Sequence, residues 1–258
     1  MKRTPFVVTS EGLRLPGELY VPERPRALIL FLHGIPSGRP PTPGDDDPGY
    51  PGLAQRFAAR DYATAWFDMR GVREAAGDFS PFGWERDVHA VLDDLSTRRE
   101  LLTLPKVIVG ASGSGPTALR VTAQRDDVAA VATLAAVATW RDGLFIADAE
   151  TTVLYFRSIG LIRDPNAPSD LDAWWREFDE DARSLIGRIA PRPVLIVHGE
   201  ADTTVPYHHA ELLHDAANEP KELVRIPGGG HQLRRDDRAL AALDVWLQRV
   251  TRSVVTRG

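Results

Sequence analysis

Two serines, Ser112 and Ser114, stand in the run "KVIVGASGSGPTAL" (106–119), between an apolar stretch and a segment that turns helical. A serine hydroxyl becomes a useful nucleophile when it is held clear of the backbone and beside a base. A tight strand-to-helix turn does this, and the close backbone approach there demands tiny residues two places before and after the serine. Ser112 has Gly110 and Ser114 at those places, whereas Ser114 would have Ser112 and Pro116. A proline ring fits that crossing poorly. One feature runs the other way: with Ser112 as the helix cap, Pro116 falls near the fourth helical position and removes a hydrogen bond. The steric demand outweighs one bond near a helix end, so Ser112 is the expected nucleophile and Ser114 its rival.

An acid and a base follow in order. Asp202 lies in "GEADTTVP" after the apolar run "PVLIVHG", and His231 lies in "GGGHQLR" after "ELVRIP". Both positions fall just past an expected strand, at the edge where open α/β sheets place their sites. A histidine there can take the serine proton and later return it to a leaving group, while the aspartate orients the ring. Other readings stand beside these. Asp202 also reads as the cap of a helix starting near Pro206, and Glu200 is a rival acid two residues away. His33 and His198 precede glycines at strand ends and read as hydrogen-bonding groups of the sheet edge. His208, His209 and His214 read as helix-surface residues, and Glu85, Asp87 and His89 as residues on the face of another helix. His208 and His209 are adjacent, so on a helix they diverge by about 100° and make a poor metal site. The acidic run Asp45 to Asp47 reads as a solvated turn rather than a cation site.

These residues need a scaffold, and apolar runs alternate with helical patterns along the chain, as in βαβ units of a mostly parallel sheet. Strands are expected in "RALILFLHG" (26–34), "YATAWFDMRG" (62–71), "KVIVGAS" (106–112), "VAAVATLAAV" (128–137), "PVLIVHGEAD" (193–202) and "KELVRIPGGGH" (221–231). Before them, "FVVTS" and "LRLPGELYVP" read as an antiparallel pair at one edge. Helical patterns lie between, ending in "DDRALAALDVWLQRVTR". Residues 139–190 are too long for a plain connection between strands. They read as a helical lid inserted between the two parts of one core, 1–138 and 191–258. Ser169 with Asp172 caps its second helix, whose apolar face is Leu171, Trp174, Trp175, Phe178 and Leu185. Trp140, Phe145, Tyr155 and Phe156 are expected to shape a pocket for a largely apolar substrate.

Composition excludes several classes. The chain has 258 residues, a net charge of −5 and no cysteine. Mixed charge argues against nucleic acid as the main partner, and the lack of cysteine removes disulfides and thiolate chemistry together. The start, "MKRTPFVVTS", lacks the apolar core of a secretory signal, and no apolar stretch approaches the ~18 residues of a membrane helix. A cytoplasmic enzyme acting on a small molecule is expected, with a homodimer through the lid's apolar face as one form. A dinucleotide enzyme is rejected because "HGIPSGRPP" has proline where helix-opening glycines should stand.

Together "LFLHGIP", "FDMRG", "GASGSG", "HGEADTTVP" and "GGGH" resemble the α/β-hydrolase family over nearly the whole chain. The resemblance implies an α/β-hydrolase fold, serine-aspartate-histidine chain order, and an oxyanion hole formed by the backbone N–H groups of Gly113 and Ile35. It implies a carboxylesterase-like serine hydrolase without metal or organic cofactor. An amidase, peptidase or thioesterase of the same fold is the alternative, and a non-catalytic binding scaffold a further one. Oligopeptidases of this fold usually add a large propeller domain, for which these 258 residues have no room. Two positions depart from the family pattern. Ser114 replaces the glycine two places after the nucleophile, and Arg73 stands where a second glycine often follows "FDMRG".

Overall fold

The computed structural model describes residues 1–37, 47–141, 148–179 and 181–255. Strands β1 (Lys2–Ser10), β2 (Leu13–Val21), β3 (Leu28–Leu32), β4 (Ala63–Phe67), β5 (Lys106–Ala111), β6 (Val128–Leu134), β7 (Val194–Gly199) and β8 (Lys221–Ile226) form one sheet. Its order is β1-β2-β4-β3-β5-β6-β7-β8. The pairs β1–β2 and β2–β4 are antiparallel and every other pair is parallel. This is the α/β-hydrolase architecture.

The central strands read as continuous apolar runs because both faces are covered. Alternate residues of β3 go to opposite sides: Leu28, Leu30 and Leu32 join one core, Ile29 and Phe31 the other. Helices α1 (Gly49–Ala58) and α8 (Asp237–Val255) cover the second face with Leu53, Phe57, Leu240, Leu243 and Trp246. The first face is covered by α2 (Pro81–Thr97), α3 (Gly115–Gln124) and α7 (His208–Ala216), through residues such as Trp84, Val88, Leu119 and Leu213. Ser80 caps α2 by accepting a hydrogen bond from the Gly83 N–H at 2.8 Å, and Pro81 opens the helix, where its missing N–H costs nothing.

Residues 139–190 contribute α4 (Ala149–Ser158), α5 (Leu171–Arg176), a 3₁₀ turn (Glu177–Asp179) and α6 (Ala182–Ile186) to that same face. The second helix expected there is thus broken into short pieces. Its cap is Asp170, whose side chain accepts from the Ala173 N–H at 2.8 Å, rather than Ser169. Asp181 restarts the chain at α6 by accepting from the Arg183 N–H at 2.9 Å. Aspartates compete for backbone N–H groups, so a segment rich in them ends and restarts helices. The Trp174 indole N–H donates to the Phe79 carbonyl at 3.0 Å, and the Ala182 N–H donates to the Ala138 carbonyl at 3.0 Å.

Candidate active site

Ser112 begins a 3₁₀ turn (Ser112–Ser114) between β5 and α3, with φ of +53°. The left-handed conformation is unfavourable for a residue with a Cβ, and the surrounding packing imposes it. Gly110 shows what the crossing requires. A Cβ there would lie 2.7 Å from the Ala118 Cβ and 2.8 Å from the Ser114 carbonyl oxygen. Because the turn intervenes, α3 starts at Gly115 and Pro116 falls in its first turn. A missing N–H there breaks no intrahelical bond, so the expected cost of Pro116 does not arise. Ser114 is fully buried and its Oγ accepts from the Ala111 N–H at 2.9 Å, with the Leu32 and Ala111 carbonyls at 3.1 and 3.0 Å as acceptors for its hydrogen. The rival serine therefore ties the turn together.

His231 reaches Ser112 from the loop after β8. That loop crosses the end of β7 so closely that a Cβ on Gly199 would meet the Gly229 carbonyl oxygen at 2.4 Å. The His231 Nε2 is 3.0 Å from the Ser112 Oγ, and its Nδ1 is 2.8 Å from Asp202 Oδ2. The carboxylate acceptor sets the tautomer: Nδ1–H donates to Asp202 and Nε2 is left to accept from the serine. Asp202 Oδ1 accepts from the Thr204 and Val205 N–H groups at 2.8 and 2.9 Å. Burial opposes its charge, yet the bonds from His198, His231 and the Val205 N–H outweigh this and hold the carboxyl well below the usual carboxylate range. Its capping of the turn before α7 and its contact with His231 coexist, one through each oxygen. Glu200, the rival acid, pairs with Arg225 at the surface.

Ser112 and His231 line a cavity of about 260 Å³ with His33, Gly34, Ile35, Tyr50, Val72, Arg73 and Arg234 among its walls. It opens where β3 and β5 meet, the point at which strand order reverses and such folds bind ligands. Gly113 stands just before α3, against the Ile35 side chain. His33 Nδ1–H donates to the Gly34 carbonyl at 2.9 Å and Nε2 accepts from the Met69 N–H at 3.0 Å. Burial, reinforced by the charge of Arg73, pushes its pKa down to about 3, so the ring is neutral. His198 is likewise a buried group of the sheet end, with Nε2 2.8 Å from the Val205 carbonyl.

The aromatics expected around the substrate are placed differently. Phe145 lies outside the described residues. Trp140 and Phe156 are buried and Tyr155 half-buried; none of the three lines the Ser112 cavity, but Trp140 lies against Gly113, where a Cβ would be 3.0 Å from its Cη2. Phe156 instead packs edge-on to Phe79 at 5.0 Å and to Trp174 at 6.1 Å, inside the core. The large apolar area of these rings is stabilised by burial against one another in the core. Two other expectations are corrected. His209 is fully buried and accepts from the Ala138 N–H at 3.1 Å, rather than standing on a helix surface. Asp87 is fully buried too: it pairs with Arg70 at 2.7 Å and accepts from the Arg70 N–H at 2.8 Å. Asp47 pairs with Arg234, and Asp45 and Asp46 lie outside the described residues. No group of three or more metal-ligating side chains occurs among the described residues, nor a helix long and apolar enough to cross a membrane.

Comparison with known proteins agrees with this architecture. The chain is 24% identical over 221 residues to the uncharacterised protein YfhR of Escherichia coli K12, covering 86% of this chain and 68% of the relative. It is 28% identical over 224 residues to YfhR of Salmonella typhimurium, covering 85% and 69%. Among solved structures, the α/β hydrolase GrgF from a Penicillium species matches with a TM-score of 0.76 at 16% identity, covering 98% and 99% of the two chains. The esterase domain of a Rhodothermus marinus protein matches with a TM-score of 0.68 at 22% identity, covering 96% and 99%. Est1E from Butyrivibrio proteoclasticus, solved with ferulic acid, matches with a TM-score of 0.68 at 19% identity, covering 97% and 98%. Residues 50–253 match the model of the prolyl oligopeptidase family. This α/β-hydrolase chain belongs to the prolyl oligopeptidase family.

Proposed function

We propose that the protein is a serine hydrolase that cleaves carboxylic esters through an acyl-enzyme. The observation that carries this reading is one imidazole, with Ser112 Oγ at 3.0 Å on one nitrogen and Asp202 Oδ2 at 2.8 Å on the other. The Ser112 oxygen attacks the ester carbonyl carbon while its proton passes to His231 Nε2. The negative charge that develops on the carbonyl oxygen is met by the N–H groups of Gly113 and Ile35, a contribution typically worth about 100- to 1000-fold in rate per donor. Collapse of the tetrahedral species breaks the carbon–oxygen bond, and the leaving alcohol takes the proton from Nε2. Water then attacks the acyl-enzyme, gives its proton to Nε2, and releases the acid as that proton returns to Ser112.

Labelling with a fluorophosphonate, located by peptide mass spectrometry, tests the reading. The adduct is expected on Ser112, still formed on Ser112 in Ser114→Ala though more slowly because the turn loses the Ser114 bonds, and lost in Ser112→Ala. An adduct on Ser114 overturns the assignment of the nucleophile, and no adduct on folded protein overturns the serine-hydrolase reading. Amide cleavage is the second reading, favoured by the family match over residues 50–253. On matched p-nitrophenyl esters and peptide anilides the esters are expected to give the higher kcat/KM, and the reverse order selects the peptidase.

A further inference from the structure

Arg73 stands at a position facing the chemistry. It follows β4 on a loop that lines the same cavity as Ser112, and its side chain is half-exposed there. Its backbone is held at φ +43°, a conformation suited to glycine and unfavourable for arginine. The strap that holds it comes from the 139–190 segment. The Arg163 guanidinium donates to the carbonyls of Gly71, Arg73 and Ala75 at 2.9–3.0 Å. Strained residues cluster at active sites, and Arg73 is one on the wall of this cavity.

The side chain is aimed by Asp68, which is buried and takes Arg73 Nη1 on one oxygen. A guanidinium carries five N–H donors, so this one side-chain contact among the described residues positions the group and leaves it able to take a second acceptor. The other arginine among the described residues of the wall is engaged differently: Arg234 meets both oxygens of Asp47 with its two terminal nitrogens. Among the described residues of the wall, Arg73 is thus the cation suited to a ligand. The Arg73–Asp68 pair is neutral overall, so a ligand carboxylate would be held here by the directed N–H donors that Asp68 leaves open rather than by net charge. A planar carboxylate also matches the guanidinium fork.

We propose that Arg73 is the specificity-determining residue of this site, and that the ester cleaved at Ser112 carries a carboxylate seated against the Arg73 guanidinium. The proposal rests on the ester-hydrolase reading for its chemistry, but carboxylate binding can be measured without turnover. The Ser112→Ala protein is titrated calorimetrically with monomethyl glutarate, and with dimethyl glutarate as the uncharged control. Adding Arg73→Gln, which leaves the backbone equally strained, is expected to weaken monoester binding by about 10- to 100-fold, the range for loss of a charge-assisted hydrogen bond. Diester binding should be unchanged, and Arg73→Lys should retain part of the preference. In the active protein the same substitutions should raise KM for p-nitrophenyl hemiglutarate and leave that for p-nitrophenyl valerate. Equal binding of monoester and diester, or a Gln variant that keeps the preference, overturns the proposal. So does an equal loss on both ligands, which marks a merely structural role. Arg73-dependent monoester binding without turnover of either ester removes the hydrolase reading and leaves the carboxylate site standing.

Discussion

At the scale of single residues, Asp202 shows how one carboxylate serves both the loop and the ring. Its Oδ1 accepts two backbone N–H groups and its Oδ2 accepts His231 Nδ1–H. Replacing it by asparagine keeps the size and the acceptor for Thr204 and Val205. The amide nitrogen, however, can present a donor to Nδ1 and favour the wrong tautomer, leaving Nε2 protonated and unable to take the serine proton. Asp202→Asn is therefore expected to fold, with kcat lowered about 10³- to 10⁴-fold and KM little changed, as steady-state kinetics on an activated ester would show. An equal fall in thermal stability and activity would indicate an architectural role instead.

At the scale of elements, the notable feature is how the 139–190 segment joins the body. Phe156, Trp174 and Phe178 sit in one core with Phe79, Trp84 and Val88 beneath the sheet's covering layer. Phe156→Ala empties a fully buried site and is expected to cost about 3–5 kcal/mol of global stability, read as a shift in the urea midpoint. A single cooperative transition should persist, because these rings share one packing unit. A separate early transition confined to the segment would mean that it unfolds on its own. The sequence pattern made this segment the hardest to read. Its apolar residues were evident, but an aromatic that packs inward and one that faces substrate look alike in a helical stripe. The expected long helix from 169 onward also failed, since Asp170 and Asp181 each offered a local cap that the periodicity did not weigh.

At the scale of the whole molecule, burial of a neutral histidine couples folding to pH. His33 has its pKa lowered to about 3 in the folded protein, against about 6.5 when exposed. Above pH 6.5 both states leave it neutral and its burial is favourable. As pH falls from 6.5 toward 3, the unfolded chain gains a proton that the folded one lacks, so stability from this group is progressively lost. The slope is about 1.4 kcal/mol per pH unit inside that window. Thermal unfolding of wild type should thus decline more steeply between pH 6.5 and 3 than that of His33→Gln, with the two curves parallel above pH 7. Parallel curves throughout would show that His33 titrates normally and that its environment is more hydrated than its 3% exposure suggests.

What the chain determined by itself is what depends on neighbours in sequence. The parallel strands follow from short apolar runs, most of them closed by glycine, and the tight turn at Ser112 follows from Gly110 and the small residues around it. Asp202 and His231 could be paired with Ser112 in advance because all three lie just past parallel strands, whose ends share one edge. Tertiary structure alone decided which side chains face one another across the fold. Asp87 and His209 read as surface residues until Arg70 and the Ala138 N–H were brought against them from 17 and 71 residues away. Trp140 and Phe156 went to the core, and Arg73 came to the wall of the cavity, held by Asp68 and strapped by Arg163. Periodicity and turn chemistry are local and leave their mark in the sequence. Burial and cavity walls are made by residues far apart in the chain, and only their packing settles them.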